Sequence, residues 1–91
     1  MRLDKWLWAA RFYKTRSLAA DEVGRGRVTV NGQAAKSARE VRVGDELQVR
    51  QGDVSRTVVV RALSAIRGPA IVAQTMYEES AASLALRAAA A

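Results

Sequence analysis

The chain has 91 residues, with fifteen Lys or Arg against nine Asp or Glu for a net charge of +6, and it contains neither histidine nor cysteine. That composition excludes disulfides, thiolate nucleophiles, imidazole bases and almost every transition-metal site, so no cofactor or metal is expected, and the length suits one domain with one modest core. No apolar run approaches the ~20 residues that span a bilayer. Arg2, Asp4 and Lys5 interrupt the apolar stretch at the N-terminus, so no signal peptide is expected and an unstapled domain of this size reads as cytoplasmic.

Leu3, Trp6, Leu7 and Ala10 recur at helical spacing and predict a first helix over residues 2–10, with Lys5 and Trp8 on its other side. Thr15 or Ser17 can cap a second helix running to about Val23, and Gly24 suits the left-handed position just past its end. Arg11 to Lys14 form the loop between them. From Arg27 the period becomes alternating. Val28 and Val30 lead into Asn31-Gly32, a strong hairpin signal because both turn residues need positive φ. Val41 and Val43 alternate again. Gly44-Asp45 turns into Leu47 and Val49, and Gly52-Asp53 precedes a strand around Thr57 to Leu63. Pro69 suits the start of a helix, and 70–91 should be helical with a break near Ser80. The predicted fold is α+β: two N-terminal helices on a small, strongly bent antiparallel sheet, followed by a C-terminal helical segment.

Charge is graded along this chain. Residues 1–27 carry seven cations (Arg2, Lys5, Arg11, Lys14, Arg16, Arg25, Arg27) and three carboxylates, whereas 76–91 carry one arginine and two glutamates. Twelve of the fifteen cations are arginine, whose planar fork grips phosphate and stacks on bases. A coding bias towards arginine and alanine would give the same composition, so the placement carries more weight than the total. Arg11, Lys14 and Arg16 cluster where the second helix begins, a place that already favours anions. Of the nearby aromatics, Trp6 belongs to the core, Trp8 and Phe12 are expected to be buried, and Tyr13 is the best candidate for exposure and base stacking. The pairs Asp21-Glu22, Asp45-Glu46 and Glu78-Glu79 read as solvated faces or turns rather than acid–base catalysts, and Gly24-Arg25-Gly26 is too short for a phosphate loop. A non-catalytic nucleic-acid binder is therefore expected.

Arg2-Leu3-Asp4-Lys5, Thr15-Arg16-Ser17-Leu18-Ala19, Gly26 to Gly32 and Val43 to Leu47 together resemble the RNA-binding domain of small-subunit ribosomal protein S-four. The longer run Arg2 to Arg16, with Arg50-Gln51-Gly52 and Tyr77-Glu78-Glu79, resembles the bacterial heat-shock protein 15 family. The resemblance implies an RNA-binding domain over residues 1–50, with 51–91 a strand and helical extension of the same domain. It implies binding to free large ribosomal subunits that carry a nascent chain on tRNA after aborted translation, and a part in recycling them. The implied partners are large-subunit ribosomal RNA and peptidyl-tRNA, with weaker DNA binding and no membrane, and the chain is expected to be monomeric. The implied RNA-binding residues are Arg2, Lys5, Arg11, Lys14, Thr15, Arg16, Arg25 and Arg27, with Asp4 structural and Asn31-Gly32 shaping the adjoining turn. Arg56 and Arg61, outside the matched segment, should matter less. Members of that family often carry a long basic tail, which this sequence does not contain. The alternatives are a constitutive ribosomal protein and a regulatory RNA- or DNA-binding module working with a partner enzyme, because phosphate contacts alone do not separate RNA from DNA.

Overall fold

A computed structural model describes residues 1–90 of the chain. Two helices, α1 (Leu3–Ala9) and α2 (Arg16–Gly24), precede β1 (Val28–Val30), β2 (Gln33–Ala34), β3 (Glu46–Gln51) and β4 (Val54–Val60). Then come α3 (Ala70–Ala73), a 3₁₀ turn (Gln74–Met76), β5 (Tyr77–Glu79) and α4 (Ala81–Ala90). The strands form one antiparallel sheet in the order β2-β1-β3-β4-β5. It is not strongly curled, which corrects the strongly bent sheet expected.

Helices shorter than ~12–15 residues are marginal in water, so the seven residues of α1 depend on docking. Leu3, Trp6 and Leu7 are fully buried, each worth roughly 1.5–3 kcal/mol. They meet the alternating inward side chains of the sheet: Val28 and Val30, Leu47 and Val49, Val58 and Val60. Trp6, Phe12 and Tyr77 form an aromatic cluster, with ring centroids 5.8 Å apart for Trp6–Phe12 and 4.8 Å for Phe12–Tyr77. Thr15 caps α2, its hydroxyl accepting from the Leu18 amide at 3.0 Å.

Both helices end in the same way. The Arg11 amide donates to the Trp8 carbonyl and the Phe12 amide to Leu7; at α2, Gly26 donates to Val23 and Arg27 to Glu22. These are Schellman endings, which require a left-handed residue just past the cap. At α2 that residue is Gly26 (φ 78°), not Gly24, which remains helical. At α1 it is Arg11 (φ 66°), a conformation that costs a non-glycine residue about 1–2 kcal/mol. The buried Phe12–Leu7 pair and a 2.7 Å hydrogen bond from Arg11 Nε to the Gly68 carbonyl help to hold it.

The Asn31-Gly32 hairpin forms as expected, with φ of 52° and 79°. Four other expectations are corrected. Val41 to Val43 is not a strand. The chain there makes an isolated bridge, Arg2 with Glu40, because its neighbour is the short lead-in to α1 rather than another strand. The strand expected at Thr57 to Leu63 runs instead from Val54 to Val60. Pro69 sits at the cap of α3 rather than inside it. The expected helix over 70–91 is interrupted by β5, whose Tyr77 pairs with Val60. The last residue of that expectation, Ala91, lies outside the described residues.

Ser80 marks the break. Its hydroxyl accepts from the Ser83 amide and starts α4. Arg87 donates two hydrogen bonds to Glu79, at 2.8 and 2.7 Å, and Ser83 adds a third. The Arg87 hydrogen bonds lower the Glu79 carboxyl below its ordinary value, against the opposing push of burial and with help from Ser83. A depressed carboxylate contributes stability that is present above its unfolded-state pKa and lost as pH falls through the folded-state value. Protection factors of the α4 amides, which are corrected for the slower intrinsic exchange in acid, should therefore fall as pH drops below about 4.3. A Glu79→Gln variant should exchange faster already at neutral pH. Equal protection in both proteins across the acid range would contradict this coupling.

Candidate nucleic-acid interface

Asp4 lies in the first turn of α1, its side chain only 4% exposed, and two arginines converge on it. Arg2 donates from Nε at 3.2 Å and from Nη2 at 3.1 Å, one bond to each carboxylate oxygen. Arg16, the first residue of α2, places Nε 3.6 Å from Oδ1. The Lys5 amide donates to Asp4 at 2.7 Å, fixing the carboxylate to the helix backbone. A buried carboxylate held in this way sets the direction of both guanidiniums. Each remains about half exposed, at 46% and 45%, so its unused N–H groups face outward. Two cations sharing one anion leave a net positive charge at that spot.

The start of α2 adds to it. Helix geometry leaves the first amides without intrahelical acceptors. Thr15 takes that of Leu18, leaving those of Arg16 and Ser17 beside the exposed Lys14. Lys5 is half-buried on α1, and among the described residues Lys5, Lys14 and Arg25 pair with no carboxylate. Arg2, Lys14, Thr15 and Arg16 thus form one group, with Lys5 next to Asp4 on α1.

The remaining expected residues are placed differently. Arg25 and Arg27 lie past the far end of α2, about 14 Å along its axis from Arg16 at 1.5 Å per residue. Arg27 is paired with Glu22 there. Arg11 is exposed, but its Nε is committed to the Gly68 carbonyl. Tyr13, expected to be exposed, is buried, with its hydroxyl unpartnered and its pKa raised chiefly by burial. It offers no ring for stacking. Phe12 is buried as expected and Trp8 half-buried. Arg56 is not a neutral control position. Its guanidinium stacks 4.5 Å from the Phe12 ring centroid and donates to Gln51, which in turn donates to the Phe12 carbonyl. Arg61 is exposed and paired with Glu78, so it does serve as a control.

The connection after β4 straps α1 into place. Trp6 donates from its indole to the Ala62 carbonyl at 2.9 Å, and Arg67 Nε donates to the Trp8 carbonyl at 3.1 Å. No helix among the described residues is long and apolar enough to cross a membrane.

An S4 domain profile matches residues 1–47. Heat shock protein 15 of Escherichia coli is 49% identical over 87 residues, covering 96% of this chain and 65% of that protein. A solved trimeric structure of Vibrio cholerae heat shock protein 15 superimposes with a TM-score of 0.96 at 47% identity, covering all of this chain and 92% of the other. The chain belongs to the heat shock protein 15 family. It spans about 65% of the length of its Escherichia coli relative in that family. The heat shock protein 15 fold here is also similar in sequence to a Bacillus subtilis protein named RQC P-site tRNA stabilizing factor. That match is 46% identical over 63 residues and covers 69% of this chain and 73% of the factor.

Proposed function

We propose that this chain is a cytoplasmic, non-catalytic RNA-binding factor. It grips large-subunit ribosomal RNA on free large subunits that still hold a nascent chain on tRNA, and it helps recycle them after aborted translation. The observation that carries this reading is the pair Arg2 and Arg16, aimed outward by the buried Asp4, with Lys14 and the open amides of α2 alongside. A-form RNA hides its major groove from side chains, so a compact basic face reads backbone and shape. The relatives' names support the setting, since one is a P-site tRNA stabilizing factor.

Lys5, Thr15, Arg25 and Arg27 are assigned lesser contacts on the same surface, and Arg11 a mainly structural role. Residues 51–91 work as an extension of the 1–50 module, because their strap at Ala62, Arg67 and Gly68 clasps α1. The cations of this face all come from one chain, which supports RNA binding by a monomer. Duplex DNA, with a different groove shape, is bound more weakly.

Sedimentation tests the reading. The protein should co-migrate with free large subunits, most strongly when peptidyl-tRNA is present, and only weakly with translating ribosomes. Equal occupancy of all ribosomes would instead favour a constitutive ribosomal component.

A further inference from the structure

Residues 39–41 run antiparallel to the lead-in of α1. The Leu3 amide donates to the Arg39 carbonyl at 2.8 Å, the Val41 amide to Met1 at 2.9 Å, and Arg2 bridges Glu40. Arg39 and Arg42 flank Glu40 in this irregular stretch, one residue before it and two after. The N-terminal ammonium holds the Glu40 carboxyl below its ordinary value, and the charges of Arg42 and Arg2 add smaller pulls in the same direction. Beside it lies an open cleft of about 530 Å³ lined by Asn31, Arg39, Glu40, Arg42 and Asp45.

The carboxylates of the cleft already have partners. Glu40 is held by the N-terminal ammonium. Asp45 accepts from the Arg42 amide at 2.9 Å and from Asn31 Nδ2 at 3.2 Å, which ties the hairpin turn to the loop. The guanidiniums of Arg39 and Arg42 pair with no carboxylate among the described residues. Arg39 and Arg42 thus line a cleft that the Arg2–Glu40 bridge joins to the α1 lead-in, next to the Arg2–Asp4–Arg16 group.

We propose that Arg39 and Arg42 form a second phosphate-binding patch, which holds the backbone of the same RNA where it runs past the α1 lead-in towards the Asn31-Gly32 turn. This rests on the RNA-binding reading of the α1–α2 face. The chemistry is that of arginine forks on phosphate oxygens, offered by two guanidiniums that no carboxylate among the described residues holds.

The test uses the full chain and deproteinised large-subunit ribosomal RNA, with circular dichroism confirming the fold of each variant. Arg39→Ala/Arg42→Ala should weaken binding about tenfold at ~0.1 M salt and flatten the log–log salt slope by about 1.4–1.8, the loss of two phosphate contacts. Arg42→Lys should weaken binding while keeping the slope, because the charge stays and the fork goes. Arg61→Ala should change neither. If the double variant keeps wild-type affinity and slope while Arg16→Ala is impaired, the patch is refuted and the α1–α2 face stands. If Arg16→Ala is also unimpaired, both fall. If the double variant binds naked RNA normally but fails to sediment with large subunits, the cleft meets a ribosomal protein and the phosphate assignment is overturned.

Discussion

Replacing Arg2, Lys14 and Arg16 together by alanine should weaken binding to large-subunit ribosomal RNA by about 10²- to 10³-fold. Hydrogen bonds to charged groups contribute about 1.5–3 kcal/mol each. The lower end of that range for two arginines and one flexible lysine, discounted for exposure, gives about 3–4 kcal/mol, at 1.4 kcal/mol per factor of ten. The log–log salt slope should fall by about 2.1–2.7. Folding should persist, because all three side chains are at least partly exposed and none belongs to the apolar core. The partner left behind is Asp4, which keeps the Lys5 amide as a donor. A binding isotherm with a parallel thermal melt separates loss of contact from loss of fold. Normal affinity in the folded triple variant would remove the basis for the site.

Asp4→Ala gives a sharper discrimination, because charge and geometry predict opposite outcomes. Deleting a carboxylate raises the net charge by one, and if the surface worked only as a diffuse positive field, RNA affinity would rise. If Asp4 works by aiming Arg2 and Arg16, affinity should fall, by about 30-fold for the loss of roughly one well-oriented charge-assisted contact of ~2 kcal/mol. Stability should fall by about 1–2 kcal/mol. Breaking a buried ion pair commonly costs 3–5 kcal/mol, but here both arginines are half exposed and can recover water. Tighter RNA binding by the variant would show that positioning is unimportant.

Much of this architecture could be read from side-chain periodicity. The Leu3, Trp6, Leu7, Ala10 stripe is buried throughout, Thr15 caps α2, and Asn31-Gly32 makes its turn. Other features depend on partners distant in sequence. The three residues of β5 have too short a period to stand out from an alanine-rich stretch, and they become a strand only because β4 offers an unpaired edge. Val41 and Val43 alternate like a strand but lie beside the lead-in to a helix. Tyr13 carries a polar tip that suggests exposure, yet it lies within the buried cluster.

For the interface, the cation-rich segment was legible and its internal pairing was not. The Arg27–Glu22 pair follows from the Schellman ending of α2, which brings residues five apart together. The left-handed pivot of that ending is Gly26, two residues beyond the Gly24 that spacing suggests. The sharing of Asp4 by Arg2 and Arg16 needs the crossing of two helices. Arg39 and Arg42 sit in irregular chain with no period to mark them. Their one signal was a local surplus of arginine around Glu40.

The strap that clasps α1 has a thermodynamic consequence. Trp6 and Ala62 are 56 positions apart and Trp8 and Arg67 are 59 apart, so the helix bearing Arg2 and Asp4 is completed by the opposite half of the polypeptide. A ligand that binds only this assembled arrangement adds its free energy to the whole cooperative unit. Occupancy by a polynucleotide and melting of the distant β-strands are then two readouts of one linked equilibrium.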